Sequence, residues 1–184
     1  MGSCPVGTDL KSSRYEYTLR LASATGARYA FPMKHSKHRM EILARGVCVV
    51  NGQLLLCHSR DATNTYLPGG HVEFREPVRA ALEREIAEEL GLRAKAGKFL
   101  GCVEHVFRQK GVWHTEINLV FALRIPGLRP DAPPPAQEEW IEFRWTPLAR
   151  LRQAKLEPAA LVLHLPRWLR GAPGFAGTEE GWRT

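Results

Sequence analysis

The stretch GHVEFREPVRAALEREIAEELGL, residues 70–92, decides how this chain is read. Glu76-Pro77 marks a helix start, because proline is tolerated in the first turn. Ala80, Ala81, Leu82, Glu83, Arg84 and Glu85 are mostly good helix formers. Gly91 suits the left-handed residue that ends many helices. At about 100° per residue, Val78, Leu82, Ile86 and Leu90 form one apolar stripe. Glu85 and Glu89 fall beside that stripe, and Glu88 lies on the same flank. The three carboxylates therefore share roughly 100° of arc.

Like charges three and four residues apart cost about 0.2–0.5 kcal/mol per pair. A helix selected for stability alone would not gather them at the edge of its buried face. A hard divalent cation resolves the conflict, since Mg²⁺ takes carboxylate, water and phosphate oxygens. The alternative is a solvated glutamate face with Arg84 as a local ion partner. The preceding Leu67-Pro68-Gly69-Gly70 weighs against it, because paired glycines let backbone groups approach a ligand closely. Turn and carboxylate helix together point to a phosphate and metal site.

The spacing of the segment resembles the Nudix box: Gly, five residues, Glu, seven residues, then Arg-Glu-aliphatic-any-Glu-Glu-any-Gly-aliphatic. All nine fixed positions of the 23-residue pattern are filled, by Gly70, Glu76, Arg84, Glu85, Ile86, Glu88, Glu89, Gly91 and Leu92. The resemblance implies an α/β fold, the Nudix α/β/α sandwich around a mixed β-sheet, over residues 41–170. It also implies hydrolysis of a nucleoside diphosphate linked to another moiety, with Mg²⁺, or Mn²⁺ as a substitute. By the same resemblance, Glu85, Glu88 and Glu89 and the Gly70 carbonyl are metal ligands. Arg84 orients the carboxylates and Glu76 anchors the loop–helix geometry. Gly69 and His71 lie where phosphate would approach, although His71 has a second reading as a loop cap.

The proton acceptor is left open, because Nudix proteins recruit it from different places. Glu116, in the otherwise apolar Trp113–Arg124 segment, is one candidate; its alternative is an outward-facing strand residue. Glu138 and Glu139, after a loop of five prolines between Pro126 and Gln137, are rivals. His105 and His114 read as structural. Substrate markers known downstream of the box are missing: Phe107 stands where some ADP-ribose hydrolases have proline. Arg108, Gln109 and Lys110 occupy the region of the diadenosine polyphosphate tyrosine. Phe107, Trp113, Trp140 and Trp145 are core candidates or base-stacking surfaces.

Composition agrees with a small enzyme. The chain has 184 residues, 44% of them hydrophobic, enough for one domain with a core. No apolar run approaches the ~20 residues of a membrane span. No signal-peptide pattern opens the sequence. The four cysteines, Cys4, Cys48, Cys57 and Cys102, make no zinc spacing, and Cys48 and Cys57 read as buried thiols. The expectation is a cytoplasmic protein.

Most of the net charge of +7 sits in residues 1–40, where Lys11, Arg14, Arg20, Arg28, Lys34, Lys37 and Arg39 face only Asp9 and Glu16. Tyr15 to Leu21 alternate as a strand does, and Thr25-Gly26 is a turn, so a β-hairpin is expected there. It would serve as an accessory hairpin or as a homodimer interface. Residues 171–184 read as a tail, loose from Pro173. Two further classes stay open: an RNA 5′-pyrophosphohydrolase using the basic leader as an RNA arm, and a non-catalytic nucleotide-binding module. The second would usually lack box glutamates.

Overall fold

A computed structural model describes residues 38–177. The expected hairpin at residues 15–31 lies outside them. Strand β1 (His38–Val47) is followed by β2 (Val49–Val50) and β3 (Gln53–Ser59). Helix α1 (Val78–Leu90) comes next, then the long hairpin β4 (Lys95–Gln109) and β5 (Val112–Arg124). Strand β6 (Ile141–Pro147), helix α2 (Ala160–Leu169) and strand β7 (Gly174–Ala176) complete the order.

The sheet is mixed but divided. β1, β5, β4 and β7 form a four-stranded sheet in that order, with β1–β5 and β4–β7 parallel and β4–β5 antiparallel. β2, β3 and β6 form a second, antiparallel sheet. The run from Ile42 to Val50 is not one continuous strand. The chain instead leaves one sheet at Val47 and joins the other at Val49. Cys48 is the buried residue between them, and its carbonyl accepts the Leu55 N–H at 3.0 Å. The Asn51-Gly52 turn that follows has φ of 49° and 74°, both central residues left-handed as a two-residue hairpin demands.

Strand alternation assigns the two faces of the larger sheet. Ala44, Phe121 and Leu123 pack with Ala81, Leu82, Ile86 and Leu90 of α1. Val47, Val103 and Val120 pack with Leu161, Leu165 and Trp168 of α2. Helices thus cover opposite faces, which is the α/β/α layering expected. α1 starts at Val78 with Pro77 at its N-cap, and ends at Gly91, whose φ of 68° is left-handed.

The expected loose tail from Pro173 is corrected by β7. Gly174, Phe175 and Ala176 pair in parallel with Gly101, Cys102 and Val103, and Ala176 is buried. Three residues are too few to show alternation, so pairing with the edge of β4 decides them.

Candidate active site

The loop before α1 is placed by β1. Gly46 N–H donates to the Pro68 carbonyl and Ala44 N–H to the Gly70 carbonyl, each at 2.9 Å. A side chain at Gly69, whose φ is 114°, would strike the Ala44 carbonyl and approach Leu82 Cδ1 to 2.8 Å. At Gly70 an added Cβ would lie 2.9 Å from Glu85 Oε1 and nearer still to Oε2. The paired glycines are therefore what lets the Glu85 carboxylate lie directly against the loop. The Gly70 carbonyl spends one lone pair on Ala44 and keeps a second for a cation.

Arg84 gathers the acidic side chains. It grips Glu76 with two parallel bonds, Nε to Oε1 at 2.9 Å and Nη2 to Oε2 at 3.0 Å. Nη1 reaches Glu85 Oε1 at 2.9 Å and Glu88 Oε2 at 3.0 Å. Nη2 also donates to the His71 carbonyl at 3.1 Å. These anionic partners, Glu76 first, raise the guanidinium's affinity for its proton further. In return Arg84 holds the Glu76 carboxyl below the usual range. Arg84 thus lies between Glu76 and the helix carboxylates Glu85 and Glu88.

Glu89 is different. The residue is only 8% exposed, and among the described residues its carboxylate receives one hydrogen bond, from Gly69 N–H to Oε2 at 3.4 Å. Burial pushes its carboxyl up to about 7; the Gly69 N–H and Arg45 pull it down, while Glu85 and Glu138 push it further up. A buried carboxylate so short of donors fits a bound cation. Among the described residues no three acidic, His or Cys side chains converge on one point for a metal ion. A cation here would have to draw Glu85 and Glu88 from Arg84 toward Glu89.

The other candidates divide. Glu116 lies on β5 opposite Glu41 of β1 and His105 of β4. Burial alone would raise its carboxyl, but His105 Nδ1 at 3.5 Å, the Arg45 charge and Asn118 Nδ2 at 3.4 Å outweigh it and hold it below the ordinary value. A carboxylate kept ionised in this way is a weaker proton acceptor. Glu138 acts electrostatically on Glu89, whereas Glu139 is exposed. His71, exposed, faces Glu41 at 3.6 Å. His105 and His114 stack on Phe107 at ring distances of 4.7 Å and 5.0 Å, matching their structural reading. Trp140 is exposed, and Trp145 packs against the α1 side of the core.

Arg45 was not legible as a site residue. It sits in the apolar run of β1, yet its Nε reaches Asn118 Oδ1 at 3.3 Å and its charge acts on both Glu89 and Glu116. The available signal was a lone charge between buried neighbours.

The sequence profile of the NUDIX domain matches residues 40–165, well over half of the chain. The chain belongs to the Nudix family. A curated relative, isopentenyl-diphosphate Delta-isomerase of Rhizobium rhizogenes, is 30% identical over 138 residues. That match takes in 68% of this chain and 65% of the relative, so this Nudix chain spans just under two thirds of the relative's length. Two solved structures share the fold. The MutT protein of Methanosarcina mazei Go1 is 24% identical with a TM-score of 0.53, covering 74% of this chain and 96% of its own. A UDP-X diphosphatase is 18% identical with a TM-score of 0.54, covering 84% and 71%. Among the described residues no helix is long and apolar enough to cross a membrane.

Proposed function

We propose that this chain hydrolyses the diphosphate bond of a nucleoside diphosphate linked to another moiety. The observation that carries the reading is Glu89, a buried carboxylate with one long hydrogen bond among the described residues, beside Glu85 at a glycine loop built to bring the two together. Glu85, Glu88 and Glu89, with the Gly70 carbonyl, would hold Mg²⁺, for which Mn²⁺ could substitute. A divalent ion so held neutralises phosphate oxygens and lowers the pKa of a bound water.

The remaining groups act around that centre. Arg84 keeps the glutamates on one side of the helix and ties them to Glu76 and the loop. Gly69 and His71 border the approach of the phosphates. Glu116, held ionised, serves as a fixed acceptor that orients its neighbours; the proton of the attacking water passes to a box glutamate or to Glu138. The relative named as an isomerase also takes a diphosphate. Isomerisation would leave the phosphate count unchanged, which separates the two activities. The test is a phosphate-release screen over nucleoside triphosphates, ADP-ribose, nucleotide sugars, dinucleotides and capped RNA, with Mg²⁺ and with Mn²⁺. Release from at least one small diphosphate supports the reading. Release from RNA alone would favour the RNA 5′-pyrophosphohydrolase, and nucleotide binding without release the non-catalytic module.

A further inference from the structure

Four consecutive carbonyls of the loop before α1 are all held by three consecutive residues of β1. The Pro68 and Gly70 carbonyls accept the backbone N–H groups of Gly46 and Ala44. The Leu67 carbonyl accepts Arg45 Nη1 at 3.3 Å, and the Gly69 carbonyl accepts the same nitrogen. Backbone alternation explains the division. β1 can present amides to every second loop peptide, and the peptides between them point elsewhere. The Arg45 guanidinium, half-buried, fills that role, and its Nε is fixed in turn on Asn118 Oδ1.

The two peptides that Arg45 holds flank the one whose N–H, from Gly69, lies on Glu89. We propose that Arg45 is a positioning residue for the carboxylate centre: it fixes the loop so that Gly69 meets Glu89 and Gly70 admits Glu85. This rests on the hydrolytic reading above, and it assigns the loop geometry to a side chain outside the box. Methionine at this position would fill the space and leave two carbonyls without their donor, which is costly where water is excluded. Lysine would keep the charge but not the fork that serves three acceptors at once.

The experiment compares the full chain with Arg45→Met and Arg45→Lys. Turnover and KM are measured on a small diphosphate, Mn²⁺ affinity by electron paramagnetic resonance, and amide exchange over residues 67–70 by mass spectrometry. Arg45→Met should lose about 100-fold in kcat, with KM within about threefold and Mn²⁺ bound at least about fivefold more weakly. Arg45→Lys should recover roughly tenfold of that loss. Exchange should rise at residues 67–70 and not in β4 or β5. Unchanged kcat and Mn²⁺ affinity would overturn the proposal, and a raised KM with kcat held would reassign Arg45 to substrate contact. If Arg45→Met fails to fold, Arg45→Lys carries the same comparison. If the wild-type chain hydrolyses nothing, the hydrolytic reading fails, while Mn²⁺ affinity and amide exchange still decide the role of Arg45.

Discussion

Gly69 donates its backbone N–H to the Glu89 carboxylate at 3.4 Å, joining the loop before α1 to the last turn of that helix. This is the one hydrogen bond that the Glu89 carboxylate receives among the described residues, and it is a long one. A carboxylate buried on these terms costs stability in the metal-free protein and gains from a cation.

Glu89→Gln should therefore move stability and turnover in opposite directions. The folded-state carboxyl is raised from 4.5 to about 7, so the folded protein binds that proton more tightly than the unfolded chain does. Its favourable contribution is full below pH 4.5 and is lost as pH rises through about 7. At pH 8 without metal, Glu89→Gln should be the more stable protein, by on the order of 2–3 kcal/mol. Turnover should fall about 100-fold or more, roughly 2.7 kcal/mol in the barrier. Thermal melts with and without Mg²⁺, run beside kinetics, check both. A variant that folds normally and keeps near-wild-type turnover would remove Glu89 from the site.

Gly70→Ala tests the approach of Glu85 to the loop. The added Cβ would press on the Glu85 carboxylate, a contact that needs the side chain to shift. Turnover should drop about tenfold or more with the melting temperature little changed. Wild-type kinetics in Gly70→Ala would show that Glu85 does not need the loop.

Glu116→Gln addresses the proton acceptor. His105, Arg45 and Asn118 together hold Glu116 below its ordinary carboxyl value despite burial. It should thus be ionised throughout the working range and should not set the acid limb of the pH–rate profile. Glu116→Gln is expected to lower turnover while leaving that limb in place. Loss of the limb in Glu116→Gln, and not in Glu138→Gln, would make Glu116 the base after all.

The leader should be separable from the chemistry. Box residues all lie beyond Gly69, but β1 begins at His38, and His38 and Arg39 pair with Trp113 and His114. A chain starting at Lys37 should therefore keep turnover on a small diphosphate within about tenfold, under about 1.4 kcal/mol in the barrier. If residues 1–36 form an interface, light scattering should show a smaller species. If they form an RNA arm, RNA affinity and its salt dependence should fall while small-molecule turnover holds. A folded, monodisperse chain that binds Mn²⁺ yet has no activity would place residues 1–36 in the active site.

Much of the site could be read from periodicity. Leu82, Ile86 and Leu90 are buried as the stripe required, and so is Glu89 beside them. The hidden parts are those that local pattern cannot encode. Arg45 is one polar residue in an apolar run, and its importance comes from carbonyls more than 20 residues away in sequence. No glycine or proline stands between Val47 and Val49 to announce the division of the sheet at Cys48. β7 owes its existence to the exposed edge of β4. Glu83 is not a fixed box position, yet its carboxylate accepts the Ala96 N–H at 3.0 Å and pairs with Lys95 at 3.2 Å. Substitutions there would disturb the join between α1 and β4.

The most direct test of the central claim is phosphate release from a small diphosphate substrate as divalent metal is removed and restored. The carboxylates of Glu85, Glu88 and Glu89 are expected to be inert without a cation. Chelation should abolish turnover, and Mg²⁺ or Mn²⁺ should restore it in the wild-type chain but not in Glu89→Gln. Undiminished hydrolysis in excess chelator would contradict the assignment of this site.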